Sequence, residues 1–63
     1  MNIALDDIRK QAPKGATHYD ETGDYWKVIS NYESYFTEDG VKWIKYAFPC
    51  NVDIKSGFIK PLN

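Results

Sequence analysis

The sequence predicts an α+β fold, a short N-terminal helix packed on a small antiparallel β-meander of three to four strands. Three observations carry that prediction. Apolar residues recur at helical spacing only ahead of Pro13, β-branched and aromatic residues concentrate between residues 16 and 48, and two short loops ending in glycine cut that stretch into hairpins. The chain is read as one domain, with the helix over residues 1–12, the meander over 16–48, and a tail over 49–63 that has room for one more edge strand.

The helix rests on Ile3 or Ala4, Leu5, Ile8 and Ala12, with Asn2 as its N-cap. Asp6 and Asp7 come early and Arg9 and Lys10 late, the order that complements a helix dipole. Pro13 disfavours helix at Ala12, and Gly15 follows as punctuation. A helix this short is marginal alone in water, so it needs a surface to lie on.

The next segments supply one. "ATHYD" and "DYWKVIS" flank the loop "ETG", and "YESYFT" and "VKWIKYAF" flank "EDG". Each loop ends in the residue that accepts the left-handed conformation of a type I turn with a G1 bulge. Ser30-Asn31 serves as a two-residue connection between the hairpins, and Pro49 stops the ladder after Phe48.

These turns set an expected register, with Asp20 opposite Asp24, Ile29 opposite Tyr32 and Thr37 opposite Val41. His18, Trp26, Tyr35 and Trp43 then form one transverse row flanked by Val28 and Val41, and the N-terminal helix is expected to cover it, because two indoles are costly to leave in water. The opposite face is expected to carry Tyr19, Tyr25, Phe36, Ile29, Tyr32, Ile44 and Tyr46, with Lys27 and Lys42 among them. Of these, Tyr19, Tyr25, Lys27, Tyr32, Phe36, Lys42 and Tyr46 are the expected partner-binding surface; the bland alternative is ordinary core. The first and third turns of a meander share one end, which gathers Asp20, Glu21, Asp24, Glu38 and Asp39. Such a cluster is either solvated loop or an acidic knob that steers the protein to a basic partner.

Composition narrows the chemistry. The net charge is −1, from nine acids against eight bases, so total charge points neither to a strongly cationic nucleic-acid binder nor to a strong acidic mimic. Aromatic residues make up 16%, more than a small interior needs. Cys50 is the sole cysteine and fits a reducing compartment, and no apolar run approaches a membrane span or a signal-peptide core. A soluble intracellular protein is the expectation.

His18 is the only imidazole, and nothing places Ser30, Ser34, Ser56 or Cys50 beside it. His18 reads as a packing residue and Cys50 as a small buried hydrophobe. There is no phosphate loop, nucleophile elbow or paired-carboxylate motif, no zinc-like spacing, and no EF-hand loop. The reading is a non-enzyme, without cofactor or metal.

Ala12-Pro13-Lys14-Gly15-Ala16-Thr17-His18-Tyr19, then Gly23-Asp24-Tyr25-Trp26-Lys27 and Gly40-Val41-Lys42-Trp43, resembles a pattern in small accessory proteins of tailed bacteriophages, where the octapeptide opens a short aromatic-rich meander. The resemblance covers about half the chain, from Ala12 to Trp43. It implies a phage gene expressed in the cytoplasm of a bacterial host and carries no catalytic residues. With it, the leading expectation is a small protein that binds a host protein and modulates or inhibits it, in host takeover or anti-defence. A single-stranded nucleic-acid binder stacking bases on Tyr19, Tyr25, Phe36 and Tyr46, with Lys27 and Lys42 on phosphate, is the alternative; a minor virion component is the third. No membrane association is expected, and free strand edges leave a homodimer open.

Overall fold

A computed structural model describes residues 5–63; the expected N-cap Asn2 and the apolar positions Ile3 and Ala4 lie outside them. The elements in chain order are α1 (Leu5–Gln11), β1 (His18–Asp20), β2 (Tyr25–Ser30), β3 (Glu33–Thr37), β4 (Ile44–Lys45), α2 (Asn51–Ser56) and β5 (Ile59–Pro61). The five strands form one antiparallel sheet in the order β4-β3-β2-β1-β5. The α+β class and the meander therefore hold, with one strand more than expected. The expected edge strand is β5, and a helix that the sequence reading did not place precedes it. None of the described helices is long and apolar enough to cross a membrane.

The first hairpin has the expected register. His18 faces Trp26, and the Asp20 amide donates to the Asp24 carbonyl at 3.0 Å. Gly23 closes the turn at φ +98, a conformation that costs a residue with a Cβ roughly 1 kcal/mol or more.

The second hairpin departs from expectation. The connection is Asn31-Tyr32 rather than Ser30-Asn31, and an irregularity between Val28 and Ser30 pairs Trp26 with Phe36 and Lys27 with Tyr35. A one-residue slip moves every side chain of β3 to the other face. The chemistry of the two faces explains the choice: Phe36 joins the Trp26 side, which is closed by apolar groups, while the Tyr35 hydroxyl donates to Glu33 at 3.2 Å on the other.

The third connection departs further. Instead of a tight turn on "EDG", residues 38–43 form a longer loop that puts Tyr35 opposite Lys45 and Phe36 opposite Ile44. The Asp39 carboxylate accepts the amides of Val41 and Lys42 at 2.8 and 3.0 Å, and the Thr37 hydroxyl accepts that of Gly40 at 3.0 Å. Donors that a ladder would have used are consumed locally, so Val41 and Lys42 do not pair.

Strands β4 and β5 stand at opposite edges, so the chain between them must cross the sheet. It crosses on the Trp26 side and carries α2 with it. There Trp26, Cys50 and Ile59 form the buried core, with Val28, Phe36, Tyr46 and Ile54 packed around them. The link is pinned where the Cys50 amide donates to the Asn31 carbonyl at 3.1 Å, and Gly57 caps α2 in the left-handed conformation. The Trp26 side is thus covered by α2, not by the N-terminal helix.

Helix α1 lies against the opposite side. The Tyr25 hydroxyl donates to the Ile8 carbonyl at 2.8 Å, and Arg9 Nε donates to the Leu62 carbonyl. The contacts tie a seven-residue helix to β2 and to the residue that follows β5, which compensates for its marginal intrinsic stability. The Arg9–Asp6 pair is exposed and adds little.

Ser34 is fully buried opposite Val28, and its hydroxyl has no hydrogen-bond partner among the described residues. An unpartnered buried hydroxyl carries a desolvation penalty, so Ser34→Ala is expected to raise the unfolding free energy by about 1 kcal/mol. Urea denaturation followed by fluorescence checks this, and a clear loss of stability would show that the hydroxyl is satisfied.

Candidate functional site

The seven residues expected to share one surface are divided. Tyr19, Tyr25 and Lys27 lie on the α1 side of the sheet, and Phe36 and Tyr46 lie on the α2 side with Trp26. Tyr32 is exposed at the tip of the second hairpin, and Lys42 is in the loop before β4. The correction follows from the register: alternate residues of a strand face opposite ways, and the slip at β3 together with the longer third loop regrouped them. The expected row of His18, Trp26, Tyr35 and Trp43 is split for the same reason.

The Lys27 ammonium sits 5.2 Å from the centroid of Tyr35 and 4.9 Å from that of Trp43, a double cation–π contact, so its charge is already engaged.

Of the five acidic residues expected at one end, Asp20, Asp24 and Glu38 are near enough for their charges to act on one another. Asp24 is the one that feels it: partial burial first, then the neighbouring charges of Asp20 and Glu38, raise its carboxyl above the ordinary value. Two of the five have structural roles. Asp20 is buried, and its Oδ1 accepts the Thr22 amide, the Thr22 hydroxyl and the Asp24 amide at 2.9, 2.6 and 3.1 Å, while Oδ2 accepts the Trp26 indole N–H at 2.7 Å. Asp39 holds the third loop. Glu21 meets Lys60 at 3.2 Å in an exposed pair of small worth.

The hydrogen bonds from Lys42, Val41 and Thr37 lower the Asp39 carboxyl from 3.8 to about 2. A depressed folded-state value contributes stability above the unfolded value and loses it as pH falls through the folded one. Asp39→Asn is therefore expected to be less stable than the native chain at neutral pH, with the difference closing between about pH 4 and pH 2. Denaturant midpoints at a series of pH values test this; a gap undiminished at pH 2 would contradict it.

Beside the acidic end, on the α2 side, is an open cavity of about 230 Å³. Its aromatic wall is Trp26, Phe36, Tyr46 and Phe58, and its carboxylates are Asp20, Asp24 and Asp53, with Thr22 completing the lining. Trp26 and Tyr46 meet edge to face, their centroids 5.0 Å apart, and Phe36 lies 5.3 Å from Trp26, so three rings support one another. The Tyr46 hydroxyl donates to Asp53 Oδ2 at 3.2 Å; burial, the Asp53 charge and that bond raise the phenol above its usual range. The lining holds no basic side chain.

The sequence reading missed Asp53 and Phe58 because it treated residues 49–63 as a tail. A signal was present: Ile54 between an acidic first turn and a glycine stop is the pattern of a short capped helix. His18 lies opposite Trp26, its ring nitrogen is 2.8 Å from the Thr17 hydroxyl, and burial lowers its pKa. Among the described residues no three His, Cys, Asp or Glu side chains converge to hold a metal ion.

A second surface feature is apolar. Tyr32, Phe48 and Val52 are about two-thirds or more exposed, on segments that the Cys50–Asn31 backbone bond holds together. Comparison with protein-family models, with curated proteins and with solved structures finds no match to this chain.

Proposed function

We propose that this is a small non-enzymatic binding protein, expressed from a phage gene in the bacterial cytoplasm, that engages a host protein and modulates or inhibits it. The observation that carries the reading is the cavity beside the acidic end. At about 230 Å³ it lies below the roughly 300–1,000 Å³ of sites for drug-sized ligands, which suits one side chain of a partner. Three of its four rings, Trp26, Phe36 and Tyr46, belong to the core or pack against it, so most of the surface offered to the partner is preorganised and binding orders little that was free. The exposed Tyr32, Phe48 and Val52 give further apolar area of the kind found at interfaces.

The nucleic-acid alternative asks for Tyr19, Tyr25, Phe36 and Tyr46 on one open face with Lys27 and Lys42. Those residues are on two faces, Lys27 is clamped between rings, and three carboxylates line the cavity and repel phosphate, so a protein partner is favoured.

The test is affinity capture of the tagged chain from lysates of the bacterial host, followed by gel filtration of the recovered complex. One host protein co-migrating in fixed stoichiometry, with altered activity when bound, is the expected result. Recovery of the chain alone, or its recovery as a component of purified virions, overturns the proposal.

A further inference from the structure

We infer that the cavity formed by Trp26, Phe36, Tyr46 and Phe58 is a receptor for an arginine side chain, which its partner inserts between those rings and the carboxylates of Asp24 and Asp53. This rests on the binding role proposed above and names the chemistry of the group bound.

The sign of the ligand follows from the lining. Three carboxylates and no base surround the space, and their charges are not equally available. Both oxygens of Asp20 are taken up by the first turn and by the Trp26 indole. Asp53 gives one oxygen to the Tyr46 hydroxyl and keeps the other. Asp24 is partly buried, and among the described residues its side chain makes neither a hydrogen bond nor an ion pair, although Asp20 and Glu38 press on it with like charge. A carboxylate held in such surroundings is relieved by an incoming cation.

The walls select the kind of cation. An aromatic surface attracts a cation through the ring quadrupole, and Phe58 is the most exposed ring of the wall. A bare metal ion would need converging oxygen ligands, which the cavity does not bring together. Ammonium is compact and strongly hydrated, and it would have to shed water against apolar rings. Guanidinium is planar and weakly hydrated; it stacks on rings and presents several donors in one plane, so it can lay its face on an aromatic wall while its edge donates to carboxylate oxygen. The cavity volume suits the head and stem of a single side chain.

The experiment uses the native chain, labelled with nitrogen-15, and two short capped peptides that differ only by arginine or its neutral isostere citrulline. The arginine peptide is expected to shift the Trp26 indole resonance and the Asp24 and Asp53 amides in a saturable manner. Citrulline, and separately the folded double variant Asp24→Asn/Asp53→Asn with the arginine peptide, are each expected to bind about tenfold more weakly. Equal shifts from both peptides, or shifts confined to residues outside the cavity, overturn the inference. A lysine peptide binding as tightly as the arginine one overturns the choice of guanidinium. If a host protein is captured yet the native chain ignores the arginine peptide, the receptor assignment falls and the binding role stands.

Discussion

Replacing Asp20 by alanine is expected to remove about half or more of the folding free energy and to bring the domain close to unfolding. The carboxylate is 4% exposed and accepts four hydrogen bonds, among them that of the Trp26 indole, itself 5% exposed. Removing it leaves a buried indole donor unsatisfied and takes two amide partners out of the first turn. The buried indole alone costs about 1–3 kcal/mol and the two more exposed turn amides about 1 kcal/mol each, so the sum is about 3–5 kcal/mol. A domain of this size has roughly 3–9 kcal/mol to lose. Loss of dispersion in the amide spectrum and of the near-ultraviolet dichroism of Trp26 is the expected readout for Asp20→Ala. Asp20→Asn keeps an acceptor oxygen and is expected to lie between the two. An alanine variant within about 1 kcal/mol of the native chain would show that the network contributes little.

The second large effect is expected at Ile59. This residue is 1% exposed in β5, opposite Asp20 and within the core cluster of Trp26 and Cys50. Ile59→Ala removes three heavy atoms from an interior with few ways to collapse, which costs about 2–5 kcal/mol. An Ile59→Val control, expected to lose about 0.5–1.5 kcal/mol, separates volume from backbone effects. Denaturant unfolding of both variants measures the difference. A small loss for alanine would mean that residues 49–63 are the accessory tail their sequence suggested, whereas a large one makes them part of the core.

The two predictions meet at the cavity. Asp20 orients Trp26, and Ile59 packs under it, so the floor that faces a partner is set by residues far apart in sequence. Preorganisation of a binding surface follows from that packing and not from the loops at its rim.

Much of this molecule is local. Pro13, Gly15 and the charge order of residues 6–10 bound the first helix; Asp20, Gly23 and Asp24 define the first turn; and the pairing of His18 with Trp26 follows from that turn alone. These features were legible because each depends on the conformational limits or hydrogen bonds of a few neighbouring residues. The proximity of Asp24 to Asp20 and Glu38 was legible for the same reason, since turn positions in a meander fix which loops are neighbours.

The remainder was decided by packing. Which way β3 faced depended on whether Phe36 or Tyr35 would join Trp26, and the apolar ring won a place beside Cys50, Ile54 and Ile59, residues that no local pattern connects to it. The third turn opened because Thr37 and Asp39 compete with the ladder for the same donors. The course of residues 46–58 across the sheet followed once β4 and β5 took opposite edges. A period of two tells which residues share a face but not which face is covered, and one inserted residue exchanges the faces. The sequence by itself therefore determined the α+β class and the first hairpin. Only the tertiary structure decided which aromatic residues became core, which carboxylates met them, and hence where the cavity lies.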